Sequence, residues 1–224
     1  MPRVIINNEQ YQAAEGELLL DVARRNGAHI GFVCNANGIC STCEFKVLTG
    51  AETLSPVSNV ETDWLPRSRL GRGHRLGCQA AVNTVPGATE LRVITRVEEF
   101  KRQYLSIFSP SQGEDFASNT VKFMGNLSTL TLEHMAQSPV GLVNTVNRLG
   151  IARFLFPWND VDGWLRDAGR VIDHELPLNG EVKMATADFI PPATPDEAGV
   201  KVQVHEVNPG DTKVEVEIGQ KEQL

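Results

Sequence analysis

The residues best suited to chemistry in this chain are four cysteines: Cys34, Cys40, Cys43 and Cys78. Three lie within ten residues, separated by five and then two, and the fourth follows after another 34. Thiolates grouped in this way bind soft metals, and three uses compete. Zinc held by four cysteines ordinarily takes two Cys-x-x-Cys knuckles, and only Cys40-Ser41-Thr42-Cys43 has that form. A redox dithiol would use that pair alone and leave Cys34 and Cys78 without a role. A [2Fe–2S] cluster needs four thiolates around two bridged irons. One short loop can supply three of them while its backbone N–H groups face the anionic core. Gly31, Gly38 and the small residues Ser41 and Thr42 suit such a wrap, because glycine permits tight turns and removes side chains from the path. The spacing favours the cluster, with zinc and dithiol chemistry still open.

No second centre is legible. His29, His74, His134, His174 and His205 are scattered, and none forms the Cys-x-His motif that a Rieske centre requires. His74, near Cys78 in the sequence, is expected at the surface. There is no phosphate loop, nucleotide fingerprint or nucleophile elbow. An electron carrier is expected rather than an enzyme.

The elements that would position the cysteines occupy the first hundred residues. Val4–Asn7 and Gln10–Ala14 read as a strand pair turned at Asn7-Asn8. Leu18–Asn26 reads as a helix stopped by Gly27. Strands over Glu44–Leu48, Leu76–Val82 and Leu91–Val97, with a short helix in Ser58–Leu65, complete a small mixed sheet around one helix. A boundary near Arg96–Glu98 then divides the chain into a cluster domain over 1–97, a mainly helical docking region over 98–190, and a linker with a C-terminal β-hairpin over 191–224. The fold class is therefore α+β.

In the second part, Glu98–Phe108 is helical by pattern and Ser109–Thr120 reads as linker. Ser128 caps an expected helix over Thr129–Gln137 that Pro139 stops, and another follows over Val140–Gly150. Asn159 caps the clearest helix, where Val161, Trp164, Leu165, Ala168, Val171 and Ile172 form one apolar stripe. Phe154, Phe156, Trp158 and Trp164 are expected to fill a helical core, or alternatively to anchor at a lipid or pigment boundary. Alternation of Val200, Val202 and Val204, a turn at Asn208-Pro209-Gly210-Asp211, and alternation of Val214, Val216 and Ile218 predict the hairpin. Pro191-Pro192 through Pro195 marks the linker before it.

Of the 224 residues, 41% are hydrophobic and 22% charged, which is ordinary for a globular protein. The formal charge is −7. Residues 1–97 hold ten basic and nine acidic side chains, and residues 98–224 hold eleven and nineteen. Neither part has the basic balance of a nucleic-acid binder. No run reaches the roughly 18 apolar residues of a transmembrane span, and the opening lacks the apolar stretch of a signal peptide, so a cytoplasmic location is expected.

The segment CNANGICSTCEFKV, with RLGCQ around Cys78, resembles the plant-type and adrenodoxin-type [2Fe–2S] ferredoxins over residues 3–97. The five-residue spacing places it nearer the adrenodoxin branch. The resemblance implies a β-grasp domain, with Cys34 and Cys40 on the iron nearer solvent and Cys43 and Cys78 on the other. Soluble ferredoxins usually present acids to basic reductases. Here Glu61 and Asp63 are followed by Arg67, Arg69, Arg72 and Arg75. These are expected to form a solvated basic loop or to contact an acidic or anionic partner, and to raise the cluster's potential.

The whole layout resembles the iron–sulfur envelope proteins of chlorosomes, the bacteriochlorophyll-bearing organelles of photosynthetic bacteria. That resemblance implies a place on the cytoplasmic side, in the lipid-monolayer envelope beside other envelope proteins. It also implies exchange of electrons with quinones or radical quenchers, so that redox state controls light-energy transfer. Two alternatives remain: an electron-transfer subunit of a multicomponent oxidoreductase, and a structural protein whose cluster stabilises the fold.

Overall fold

The strand β1 (Arg3–Ile6) alternates as its sequence dictates, with Val4 and Ile6 fully buried and Arg3 exposed. Asn7 and Asn8 both take positive φ, 56° and 76°. Asparagine tolerates that conformation, and a two-residue turn of this kind returns the chain into β2 (Glu9–Gln12) with the right twist. The computed structural model describes residues 2–110, 113–157, 161–176, 201–204 and 216–219.

After the short strand β3 (Glu17–Leu18), the helix α1 (Leu19–Asn26) buries Leu19, Leu20, Val22 and Ala23. Gly27 ends it at φ 73°, a left-handed cap. Next come β4 (Glu44–Thr49), α2 (Asn59–Trp64), α3 (Arg67–Leu70), β5 (His74–Leu76), β6 (Ala81–Val82) and β7 (Leu91–Thr95). The main sheet has the order β2-β1-β7-β4-β5, with β1 and β7 parallel and the other pairs antiparallel. A β3–β6 pair stands beside it. Wrapping of this mixed sheet around α1 gives the expected β-grasp, whose core runs from Val4 and Ile6 through Leu19, Phe45 and Leu91. The expected strand Leu76–Val82 breaks in two. Gly77 donates its N–H to the Cys43 carbonyl at 3.0 Å, and the chain then leaves one sheet for the other. Cys78 therefore sits in a turn between β5 and β6.

Helix α4 (Arg96–Phe108) follows β7 directly, its first turn capped by the Thr95 hydroxyl. The greatest departure from expectation comes next. One helix, α5 (Phe116–Leu149), takes in the end of the expected linker, from Phe116 to Thr120, and both short helices. Asp115 and Ser118 cap it reciprocally, and it passes through Pro139 without stopping. Proline cannot bond the carbonyl four residues back. The Ser138 hydroxyl donates to that carbonyl, Met135 O, at 3.0 Å and replaces the missing partner. Docking of α5 on α2 supplies the rest of the support. Helices α6 (Ile151–Leu155) and α7 (Val161–Glu175) complete the region.

The expected separate helical core is not formed. Among the described residues of 96–176, Ile107 and Pro157 are the buried apolar side chains. Phe156 is 74% exposed. The α7 stripe divides: Trp164, Ala168 and Val171 pack on the β-grasp core, while Val161, Leu165 and Ile172 face outward. Absence of a side chain at Gly27 admits α7, since a Cβ there would stand 2.8 Å from the Arg170 carbonyl. Strands β8 (Lys201–Val204) and β9 (Val216–Gly219) pair antiparallel as expected. Trp158, Asn159, the prolines 191–195, Val200, His205, the turn at 208–211 and Val214 lie outside the described residues.

Candidate metal centre

The loop between α1 and β4 is curled by alternating backbone handedness. Asn35, Ala36, Gly38 and Ser41 have φ of 49°, 63°, 65° and 48°. Left-handed residues interspersed with ordinary ones turn successive N–H groups toward one side, which makes a concavity for an anion. Asn37 braces it, donating from its side chain to the Cys34 carbonyl at 2.7 Å.

The four cysteines converge as two pairs. The thiol of Cys34 interacts first with that of Cys40, and the thiol of Cys43 with that of Cys78. In the first pair the Cys34 thiol is lowered to about 5 by the Cys40 thiol and by the N–H groups of Ile39, Cys40 and Asn37, against the opposing effect of burial. Cys40 is pushed up by its bond to Cys34 and by burial. In the second pair Cys78 is lowered, by Cys43 first and then by the Gln79 amide, which lies 3.5 Å from its sulfur; Cys43 is raised by Cys78 and by complete burial.

This arrangement discriminates between metals. Around a tetrahedral zinc with Zn–S bonds near 2.3 Å, the sulfurs stand about 3.8 Å apart. Among the described residues, the only trio of His, Cys, Asp or Glu ligand atoms within 4.8 Å of one another is His29, Glu98 and Glu175. Among the described residues no three cysteine sulfurs gather that tightly. The His29 trio is occupied by protein cations: Lys101 Nζ pairs with both carboxylates, and Arg102 bonds Glu98 at 2.8 Å.

Residues 4–83 match the 2Fe-2S iron-sulfur cluster binding domain. The 2Fe-2S ferredoxin-5 of Aquifex aeolicus is 33% identical over 86 residues, which covers 90% of that protein and 37% of this chain. The chain belongs to the [2Fe–2S] ferredoxin family. Its cofactor is a [2Fe–2S] cluster, and all four cysteines lie inside the matched segment of this ferredoxin domain. Two longer relatives come from Chlorobaculum tepidum. Chlorosome protein J is 38% identical over 107 residues, 48% of this chain and 46% of that protein. Chlorosome protein I is 32% identical over 130 residues, 55% and 52% respectively. The chain spans about half the length of these two relatives.

The arginine loop of the ferredoxin domain differs from expectation. Arg69 and Arg75 are buried rather than solvated. Arg75 clamps the fully buried Glu61 with bonds of 2.7 and 3.0 Å, and Arg69 pairs with the fully buried Glu44 and with Glu133 of α5. Arg72 reaches Glu133 at 3.3 Å. The positive charge is answered within the chain, because buried carboxylates require paired cations. His74 is buried as well, its Nδ1 2.7 Å from Glu44. The signal was available: a glutamate between Cys43 and the apolar Phe45 at the start of a strand demands a basic neighbour.

Sequence reasoning also missed the contribution of the second half to the cluster loop. Trp164 Nε1 donates to the Phe32 carbonyl at 3.3 Å. Arg148 donates to the carbonyls of Asn37 and Gly38 at 3.1 and 3.3 Å, and Arg153 bonds the Asn37 side chain at 3.2 Å. Ser41 meets His134 at 3.0 Å. No local pattern encodes such contacts across a hundred residues.

Proposed function

We propose that this protein is a one-electron carrier of the chlorosome envelope, with Cys34 and Cys40 on one iron and Cys43 and Cys78 on the other. The observation that carries the ligand assignment is the division of four thiols into two pairs flanked by inward N–H donors. A bound [2Fe–2S] cluster takes up and returns one electron. The loop's N–H groups and the Gln79 amide stabilise the negative sulfurs. The same proposal takes quinones or radical quenchers as the redox partners, as the resemblance of the whole layout to envelope iron–sulfur proteins implies, with the redox state of the carrier controlling light-energy transfer.

The envelope assignment is supported by the outer surface of the helices. Between Phe123 and Asn147 the only ionisable side chains are Glu133 and His134, and both face the ferredoxin domain. Leu132, Met135 and Val143 are exposed on α5, and Phe108 and Phe156 lie exposed on either side of it in the chain. No helix among the described residues is long and apolar enough to cross a membrane. A wide uncharged apolar face without a span suits the surface of a lipid monolayer.

An EPR-monitored redox titration of the intact protein tests the ligand and carrier assignments. The expected result is a rhombic signal on reduction, a reversible one-electron wave, and loss of the signal in Cys43→Ala. A colourless protein with stoichiometric zinc refutes them.

A further inference from the structure

Ser41 separates the ligand cysteines Cys40 and Cys43 by lying between them, and it is a serine where the backbone asks for glycine. Its φ is 48° and it is buried. Side chains with a Cβ enter the left-handed region only with support. That support comes from α5, where His134 Nε2 lies 3.0 Å from the Ser41 hydroxyl. The other ring nitrogen, Nδ1, is 3.0 Å from the Leu130 carbonyl, which can only accept. Nδ1 therefore carries the proton, Nε2 offers its lone pair, and the Ser41 hydroxyl donates to it. The ring is fixed in turn, because the helix is tied down on both sides of it. Glu133 holds Arg69 at 2.9 Å, and Gln137 donates to the Thr62 carbonyl at 3.2 Å.

The left-handed turn at Ser41 sets the direction of Thr42. The Thr42 hydroxyl lies 3.0 Å from the Cys40 sulfur. Donors to a ligand sulfur favour the reduced, more negative state of a cluster and raise its potential.

We infer that His134 is a positioning residue for electron transfer, holding Ser41 left-handed so that Thr42 donates to the Cys40 sulfur and the potential is set from outside the ferredoxin domain. The inference rests on the proposed ligand set. Its test is separate, because a parent protein without a rhombic signal defeats the ligand set before any variant is compared.

The midpoint potential and the g values of the reduced protein are measured for four variants. His134→Ala releases Ser41, so its midpoint falls below that of the parent and its g values change. His134→Gln keeps an acceptor for the serine hydroxyl and stays close to the parent. Ser41→Gly adopts the left-handed conformation unaided and also stays close. The decisive variant is the double Ser41→Gly/His134→Ala, in which glycine makes the histidine dispensable and the midpoint returns to the parental value. If His134→Ala fails to take up a cluster, the double variant must recover it. An unchanged midpoint in His134→Ala, or a double variant as impaired as His134→Ala, overturns the inference.

Discussion

Gly141 of α5 lies against the indole of Trp64 in α2, so close that a Cβ on the glycine would stand 2.9 Å from Cδ2. One turn further, Thr145 accepts a hydrogen bond from Trp64 Nε1 at 3.2 Å. This contact seats the long helix on the ferredoxin domain beside the cluster loop. Val60, on the same short helix α2, would crowd a Cβ at Gly38 to 2.7 Å. Absent side chains at two glycines therefore let α2 pack between α5 and the loop that carries the cysteines.

Gly141→Val should loosen this seat. Overpacking against a rigid ring costs about 1–3 kcal/mol. Gly125 lies on the same helix, and a Cβ added there would meet no atom within 4 Å. Gly125→Ala should stabilise by about 0.5–1 kcal/mol, because the glycine gives up more conformational freedom than alanine in a helix. Thermal melts of the two variants are expected to move in opposite directions. A rise in both would show that α5 responds to propensity alone.

Glu61 anchors the strand leading to Cys78. Its carboxylate, itself fully buried, accepts from Arg75, from the Leu76 N–H at 2.9 Å and from the Ser58 N–H at 2.9 Å. Glu61→Ala leaves the Arg75 guanidinium buried without a counter-charge, which costs about 3–5 kcal/mol. Denaturant unfolding measures this directly. A loss below about 1 kcal/mol would mean that water reaches Arg75.

Glu98 joins α4 to the β-grasp and confers a pH dependence. Burial alone would raise its carboxyl, but bonds from His29 and Arg102 and the charge of Lys101 outweigh burial and hold it down to about 2. A carboxyl depressed below its ordinary value of 4.5 adds stability that is complete above that pH and is lost as pH falls toward 2. Glu98→Gln should be less stable than the parent at neutral pH, and the two should converge as the pH approaches 2. Parallel acid-unfolding curves, offset equally at every pH, would contradict this linkage.

Legibility in the sequence followed the range of the interactions. The mixed sheet around one helix was legible because its signals are local, namely alternation in β1, the Asn7-Asn8 turn and the α1 stripe closed by Gly27, and the family resemblance around the cysteines then implied the β-grasp. Pro139 misled because its local meaning is to end a helix, whereas the Ser138 hydroxyl and the distant Trp64 support the helix across it. Arg69 and Arg75 misled because a run of arginines reads as surface until the buried Glu44 and Glu61 are seen opposite. His134 gave no signal, since its partner Ser41 lies 93 residues away.

The outer face of α5 leads to a prediction about lipid. Leu132 and Met135 are 68% and 67% exposed, so replacing both by glutamate should leave the melting temperature nearly unchanged. Burial of each such side chain contributes about 1.5–3 kcal/mol. Losing two removes at least about 3 kcal/mol, a decrease in affinity of about 100-fold or more. In flotation with neutral-lipid vesicles, the parent should rise with the vesicles and the double variant should stay behind. The salt dependence identifies the force. Attraction between exposed charges weakens as the screening length shrinks from about 10 Å at 0.1 M to about 3 Å at 1 M. Apolar insertion persists under the same change, so the parent should float equally well at both salt concentrations. Flotation that disappears at high salt would assign the attachment to charge and remove the outer face of α5 from it.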